Sequence, residues 1–229
     1  MMTQGFGAYA TTAGVPVQQG VPHGAQQDAT AGGAAPRATV PTVRDLRGRG
    51  GAGPAGLVFA AGDVVVVSGL PGSGKSTLIR RVANGGGIDS QDARDRWARR
   101  MPPGLPYAVY RPLVRLAHYA GLRRVLASGA STVVHDCGTQ TWVRSWLARE
   151  ARARGRLLHL VLLDVAPEVA RQGQRERGRG VSGYAFARHR RAVGRLLAEA
   201  EAGRAPAGCA SVTLLDRDTA DALRVITFP

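Results

Sequence analysis

A short apolar strand that runs directly into a glycine-rich loop constrains this chain more than any other feature. Residues 63–68 read Asp-Val-Val-Val-Val-Ser, a β-branched run typical of a strand buried on both faces. A helix is predicted from Ser76 to about Ala83. Between them the sequence matches the phosphate-binding pattern G-x-x-x-x-G-K-[ST] in full, as Gly69, Leu70, Pro71, Gly72, Ser73, Gly74, Lys75, Ser76 and Thr77.

The residue types in this loop suit the binding of a polyphosphate. Its glycines allow a tight backbone turn whose N–H groups point inward at phosphate oxygens. The following helix presents its positive dipole end, and Lys75 adds a full charge for the β and γ phosphates. The Ser76 hydroxyl is a hard oxygen ligand suited to Mg²⁺. We therefore expect the loop to bind Mg-ATP.

The basic character of the chain comes almost entirely from arginine. The formal net charge is +15, and Lys75 is the only lysine among the 31 basic residues. An excess of arginine, alanine and glycine with little asparagine and isoleucine is what a GC-rich genome produces, so we attribute most of the charge to composition. A nucleic-acid partner stays open, but neither interleaved aromatic residues nor an RNA- or DNA-binding motif supports it.

The chain divides into two unlike parts. Residues 1–56 are rich in Gly, Ala, Thr, Gln and Pro without sustained periodicity, which predicts a disordered low-complexity tail. Residues 57–229 are predicted to form one globular domain. The two cysteines, Cys137 and Cys209, belong to no Cys/His cluster, which argues against a zinc site. No signal peptide or membrane-spanning run is recognisable, so we expect a cytoplasmic protein with no membrane partner.

Short apolar runs alternate with helical segments along the predicted domain. Further strands are predicted around Ile88–Asp89, Ser131–His135, Leu157–Leu163 and Val212–Leu215, with Val225–Phe228 as a short edge strand. In the long helix predicted over Tyr107–Ser128, the residues that recur at roughly helical spacing are Leu113, Leu116, Ala120, Val125 and Leu126. The alternation predicts an α/β fold with a parallel sheet wrapped on both faces. Ligands of such sheets bind beyond the carboxyl ends of the strands, where the glycine-rich loop lies.

Carboxylates follow two predicted strands at that same edge. Asp136 ends the third strand, where it would face Mg²⁺; the alternative is a helix cap. Asp89 and Asp92 follow the second strand, where either could take the proton of an acceptor hydroxyl. Arg94 could clamp an anionic acceptor. The alternative for these three is a set of exposed charges at the start of a helix.

An arginine-rich segment follows the fourth predicted strand and its helix. Arg175, Arg177 and Arg179 alternate with other residues and lead into glycines, which predicts a small mobile lid that closes on phosphates and excludes water. The alternative is a solvated charge run. We expect Arg177 to act on the transferred phosphoryl group and Arg179 to contact the nucleotide.

Taken together, these residues resemble P-loop kinases of the polynucleotide-kinase-like branch, which groups with zeta toxins and gluconate kinases and, in broad terms, with AAA-type ATP-binding proteins. The resemblance spans roughly Asp63 to Phe228. It implies a P-loop NTPase three-layer sandwich with a small Arg-rich lid, in which Lys75, Asp92 and Arg177 are catalytic. The motifs that carry it are Gly69–Thr77, Gln91-Asp92-Ala93-Arg94, Val134-His135-Asp136, Arg144 in Thr-Trp-Val-Arg-Ser-Trp, and Arg177-Gly178.

One position departs from that family pattern. The family's expected base is often the first of two adjacent aspartates, and this chain has Gln91 there. Asp92 or Asp89 must then act as the base, or the acceptor chemistry differs. The leading interpretation is a kinase that moves the γ-phosphate of ATP to a hydroxyl of a nucleic-acid end, a nucleotide, a sugar or an antibiotic-like molecule. The alternative is a regulatory ATP-binding protein or ATPase with no small-molecule acceptor.

Overall fold

The computed structural model of the chain describes residues 40–49, 52–83, 87–88, 90–102, 104–135, 140–178 and 180–229. Within these ranges the strands are β1 (Thr42–Asp45), β2 (Gly56–Val58), β3 (Val64–Gly69), β4 (Gly87–Ile88), β5 (Thr132–His135), β6 (Leu158–Leu163), β7 (Ser211–Leu215) and β8 (Val225–Thr227). The helices are α1 (Lys75–Val82), α2 (Ser90–Ala98), α3 (Tyr107–Ala127), α4 (Thr141–Arg152), α5 (Pro167–Glu176), α6 (Gly183–Glu201) and α7 (Arg217–Ala222).

Six of these strands form one parallel sheet in the order β1-β7-β6-β3-β5-β4. The strand β3 lies near the centre, where Val64 is paired with Leu158 of β6 on one side and with Thr132 of β5 on the other. Every residue of β3 and of β6 is buried, which requires cover on both faces of the sheet. The predicted α/β fold with a central parallel sheet is therefore confirmed.

The sheet contains one edge strand that the sequence analysis missed. β1 pairs in parallel with β7, with Thr42 opposite Ser211, and Leu46 directly after β1 is only 1% exposed. Residues 42–46 are therefore corrected from the predicted tail to the ordered domain. The strand escaped prediction because its four residues carry a single half-buried valine. The predicted disorder of the first 39 residues lies outside the described residues.

The last strand also differs from its prediction. β8 does not join the edge of the main sheet; it pairs in parallel with β2, with Leu57 opposite Ile226, in a separate two-stranded sheet. Both of these central residues are buried. The small sheet therefore has an apolar side of its own that packs into the core.

One arginine with three carboxylate partners holds the end of β1 in place, at the carboxyl ends of the strands. Arg47 lies 2.7 Å from a carboxylate oxygen of each of Asp45, Asp164 and Glu201. Hydrogen bonds to these carboxylates, with Asp45 first, raise the pKa of Arg47 above its usual range. The hydrogen bond from Arg47 in turn lowers the pKa of Asp45. The start of the domain is thus tied by charge to the ends of β6 and α6.

Candidate active site

The glycine-rich loop lies where predicted, between the end of β3 and the start of α1. Gly72 and Gly74 have φ angles of 88° and 97°, in the left-handed region that side chains other than glycine rarely adopt. Helix α1 begins at Lys75, with Gly74 as its N-cap residue, so the dipole of the helix starts in the loop. The backbone conformation that an anion-binding loop needs is therefore present.

Lys75 is buried at the centre of this loop, with 4% of its surface exposed. Its Nζ donates hydrogen bonds to the carbonyl oxygens of Gly69 at 2.8 Å and Leu70 at 2.7 Å. The side chain thus runs back across its own loop and holds a positive charge beside the loop backbone. The role predicted for this cation from the sequence, contact with the β and γ phosphates, stays a prediction.

A buried hydroxyl in the same loop supports the fit to phosphate. Ser73 is 8% exposed, and among the described residues its Oγ finds no hydrogen-bond partner. A buried hydroxyl without a partner is costly, so a ligand oxygen at this position would be stabilising. Ser76, the predicted magnesium ligand, lies half-buried in the first turn of α1.

Helix α5 packs directly onto the loop through two glycines. A methyl group on Gly72 would lie 2.0 Å from the carbonyl oxygen of Ala170, and one on Gly173 would lie 2.7 Å from the carbonyl oxygen of Gly72. Neither position has room for a side chain. The backbones of loop and helix therefore touch, and α5 acts as a fixed wall behind the loop.

Side chains at the end of α5 form hydrogen bonds to the loop. The Gln174 side chain donates through Nε2 to the carbonyl oxygen of Pro71 at 3.0 Å, and its Oε1 accepts the backbone N–H of Val181 at 3.0 Å. Arg177 donates through Nη2 to Oγ1 of Thr77 at 3.4 Å. The structure therefore brings the predicted Arg177 to the loop.

A cleft of about 210 Å³ opens beside the loop, between α1, α5 and α7. Three arginines line it, namely Arg81, Arg177 and Arg217, together with the carboxylates Glu176 and Asp221. Arg81 also donates to the carbonyl oxygens of Ala220 and Leu223 and lies 3.7 Å from Asp221. The cleft thus extends from the loop to residues that were not predicted from the sequence as part of the site.

The sequence analysis missed Arg81, Arg217 and Gln174 for an identifiable reason. None of the three lies in the loop motif, and Gln174 and Pro71 are 103 positions apart in the chain. Only the order of β3, β6 and β7 in the sheet brings their following helices together. The expectation that ligands gather beyond the carboxyl ends of these strands was the one usable signal.

Several predicted site residues cannot be placed. Asp89, Asp136 and Arg179 lie outside the described residues, and so does the side chain of Asp92, although the backbone of α2 that carries it is described. Arg94, the predicted clamp in the same helix, is half-buried.

Two further predicted side chains have described positions. Arg144 is buried in α4, with 5% of its surface exposed. Its charge lies near enough to Cys209 to act on that thiol, but burial dominates and raises the pKa of Cys209 to about 11. That thiol is therefore protonated at neutral pH and unreactive. The other cysteine, Cys137, lies outside the described residues.

A second cavity, of about 560 Å³, lies at the amino ends of the strands, where β6 and β7 begin. There His159 contacts Ser211 Oγ through Nδ1 at 2.8 Å and Asp63 Oδ2 through Nε2 at 3.1 Å. Asp63 also accepts the backbone N–H groups of Ala60 and Leu157. Because these polar atoms satisfy one another, the network is a structural one. Burial lowers the pKa of His159, although Asp63 opposes this effect.

The described residues contain no group of three or more His, Cys, Asp or Glu side chains arranged to hold a metal ion. None of the helices in this part of the chain has the length and apolar character to cross a membrane.

Comparison with known proteins places the chain in a family. A family described as the AAA domain matches residues 64–202, which is more than half of the chain. The match includes β3, the loop, Arg177 and all of α6. The resemblance to P-loop kinases drawn from the sequence is confirmed. No curated protein is significantly similar to the chain in sequence.

The chain is also similar to solved structures, and the first of the following supports the fold. A candidate kinase from Chloroflexus aurantiacus is 13% identical, with a TM-score of 0.51 over 70% of this chain and 87% of its own. A gluconokinase from Sinorhizobium meliloti is 18% identical, with a TM-score of 0.42 over 72% and 93% of the two chains. The tunicamycin resistance protein of Deinococcus radiodurans is 14% identical, with a TM-score of 0.40 over 60% and 82%. The first of these shares the P-loop NTPase fold.

Proposed function

This chain belongs to the AAA domain family, and on that premise we propose that it is a kinase that transfers the γ-phosphate of Mg-ATP to a hydroxyl acceptor. The observation that carries the proposal is that two cations reach the glycine-rich loop from separate elements. Lys75 lies against the carbonyl oxygens of the loop, and Arg177 reaches Thr77 from the end of α5. A loop that only held a nucleotide would not need the second cation.

Phosphoryl transfer depends mainly on the positions of the reacting groups and on neutralising the negative charge of the phosphates. The acceptor oxygen forms a bond to the γ-phosphorus while the bond from that phosphorus to the β–γ bridging oxygen breaks, and ADP leaves. Lys75 and Arg177 offset the negative charge on the phosphoryl oxygens during this exchange. Asp92 takes the proton of the acceptor hydroxyl, with Asp89 as the other carboxylate available for this step.

A hard oxygen ligand for a magnesium ion is available at the start of α1. The Ser76 hydroxyl, in the first turn of α1, and the Asp136 carboxylate, directly after β5, are the groups that would hold it. When bound, Mg²⁺ neutralises charge on the β and γ phosphates. Arg179 follows Arg177 by two residues and would add a further contact to the nucleotide.

The test is a transfer assay with γ-labelled ATP. The protein is incubated with Mg²⁺, labelled ATP and a panel of hydroxyl acceptors: nucleosides, oligonucleotides with free 5′ ends, sugars and hydroxyl-bearing antibiotics. We expect label in at least one acceptor, and a loss of about 10²–10⁴-fold in rate for Asp92→Asn, since that change removes the base.

A surface carboxylate serves as the matched control. Glu150→Gln makes the same change in charge on α4, where Glu150 pairs with Arg154, and should leave transfer unchanged. Release of free phosphate alone, at equal rates in the wild-type protein and Asp92→Asn, would contradict the kinase and favour an ATPase.

A further inference from the structure

The Gln174 side chain joins two segments that must cooperate in phosphoryl transfer. It is 8% exposed, and each end of its amide is used: the nitrogen by Pro71 of the glycine-rich loop, the oxygen by Val181 in the connection between α5 and α6. We propose that Gln174 is a positioning residue that sets the α5–α6 connection, and with it Arg177, against the glycine-rich loop. This inference rests on the proposed kinase function.

The residue type follows from what the two partners need. The Pro71 carbonyl requires a donor, and the Val181 N–H requires an acceptor. The neutral amide of glutamine supplies both on one rigid planar group. Glutamate would keep the acceptor and lose the donor, and leucine of similar volume would lose both.

The backbone contact under Gln174 makes the link stiff. Gly173 and Gly72 lie too close for a methyl group at either position, so α5 cannot slide on the loop. Arg177 lies three residues after Gln174, on the same side of the chain's helical path, and reaches Thr77 in the first turn of α1. The amide therefore fixes the position of the α5–α6 connection relative to the glycine-rich loop. It also fixes the orientation of the Arg177 side chain.

Trypsin reports the position of this connection directly, because it cleaves after arginine. Cleavage between Arg177 and Gly178 is followed by mass spectrometry in the full-length chain, with and without Mg-ATP. We expect Gln174→Leu to be cut there about 10-fold faster than the wild-type protein, since both hydrogen bonds that hold the connection are gone. Gln174→Glu should fall between the two.

The kinetic readout separates positioning from folding. In the transfer assay, Gln174→Leu should lower kcat by about 10-fold with a smaller change in KM for ATP, because Arg177 acts on the phosphoryl group during transfer. A core substitution outside the glycine-rich loop and α5, Ile226→Val in β8, is the control for reduced stability. It should lower the melting temperature without changing either measurement.

Two outcomes would overturn the inference. Equal cleavage after Arg177 in the wild-type protein and Gln174→Leu would mean that the amide does not hold the connection. Equal effects of Gln174→Leu and Ile226→Val on cleavage would mean that it acts through stability alone. Because cleavage needs no acceptor, a chain without transfer activity but with the expected cleavage pattern would refute the kinase and keep the link.

Discussion

Replacing Gly173 by alanine tests the contact between α5 and the glycine-rich loop. The added methyl group would lie 2.7 Å from the Gly72 carbonyl oxygen, about 0.7 Å short of the 3.4 Å at which ordinary contact begins. Since both atoms are held by backbone, the loop must move rather than a flexible side chain. A shift of this size takes phosphate-facing N–H groups out of hydrogen-bonding range.

The magnitude follows from the bonds at risk. Hydrogen bonds to a charged group contribute about 1.5–3 kcal/mol each, so the loss of one weakens Mg-ATP binding about 10- to 150-fold. The same substitution gains up to about 1 kcal/mol of helix propensity and loses about 1–3 kcal/mol to overpacking. We therefore expect the free energy of Mg-ATP binding to weaken more than the free energy of unfolding.

Gly194→Ala is the matched control, because Gly194 is also inside a helix and has nothing within 4 Å of its added methyl group. This variant should raise the melting temperature by about 2–4 °C, through the gain in helix propensity, and leave nucleotide affinity unchanged. Affinity is measured by isothermal titration calorimetry and stability by thermal unfolding. Wild-type affinity in Gly173→Ala would refute the account of this contact.

Three further predictions concern charge. Burial lowers the pKa of His159, so as the pH falls the unfolded chain takes up a proton at this residue before the folded chain does. The free energy of unfolding should therefore decrease below pH ~6.5, by up to about 1.4 kcal/mol per pH unit. In urea unfolding, His159→Gln should lack this pH dependence. Arg47→Met should lower the free energy of unfolding, also measured in urea, by about 1–2 kcal/mol, because three carboxylates lose the cation that they share. The loss should be smaller in high salt. Arg177→Ala should lower kcat of transfer about 10-fold or more and change KM for ATP less.

The central part of the fold could be predicted because its signals are local. The strand from Val64, the glycines and Lys75 are contiguous in sequence, and the alternation of apolar runs with helices predicts the parallel sheet. Lys75 and Arg177 could be assigned to this part of the sheet from the sequence for the same reason, and their roles in the site stay predictions. Each lies next to a strand or helix end that the alternation already located.

The long helix shows where local patterns fail. Of the residues whose helical spacing predicts this helix, Leu113 and Leu116 are 48% and 68% exposed, whereas Leu126 is buried. Among the described side chains of α3, the buried ones are Tyr110 and Val114 in the first half and Leu122 and Leu126 in the second. The helix packs against α2, and Leu122 and Leu126 join the core. The four positions are separated by multiples of four residues, so the buried row turns slowly around a helix of 3.6 residues per turn.

The central claim is that the loop from Gly69 to Thr77 binds Mg-ATP through Lys75, and calorimetric titration of Mg-ATP tests it most directly. Lys75→Ala is compared with Arg80→Ala, which removes an exposed cation from the outer side of the same helix. The account predicts at least ~10-fold weaker binding for Lys75→Ala and unchanged binding for Arg80→Ala. Equal affinity in Lys75→Ala and the wild-type protein would contradict it.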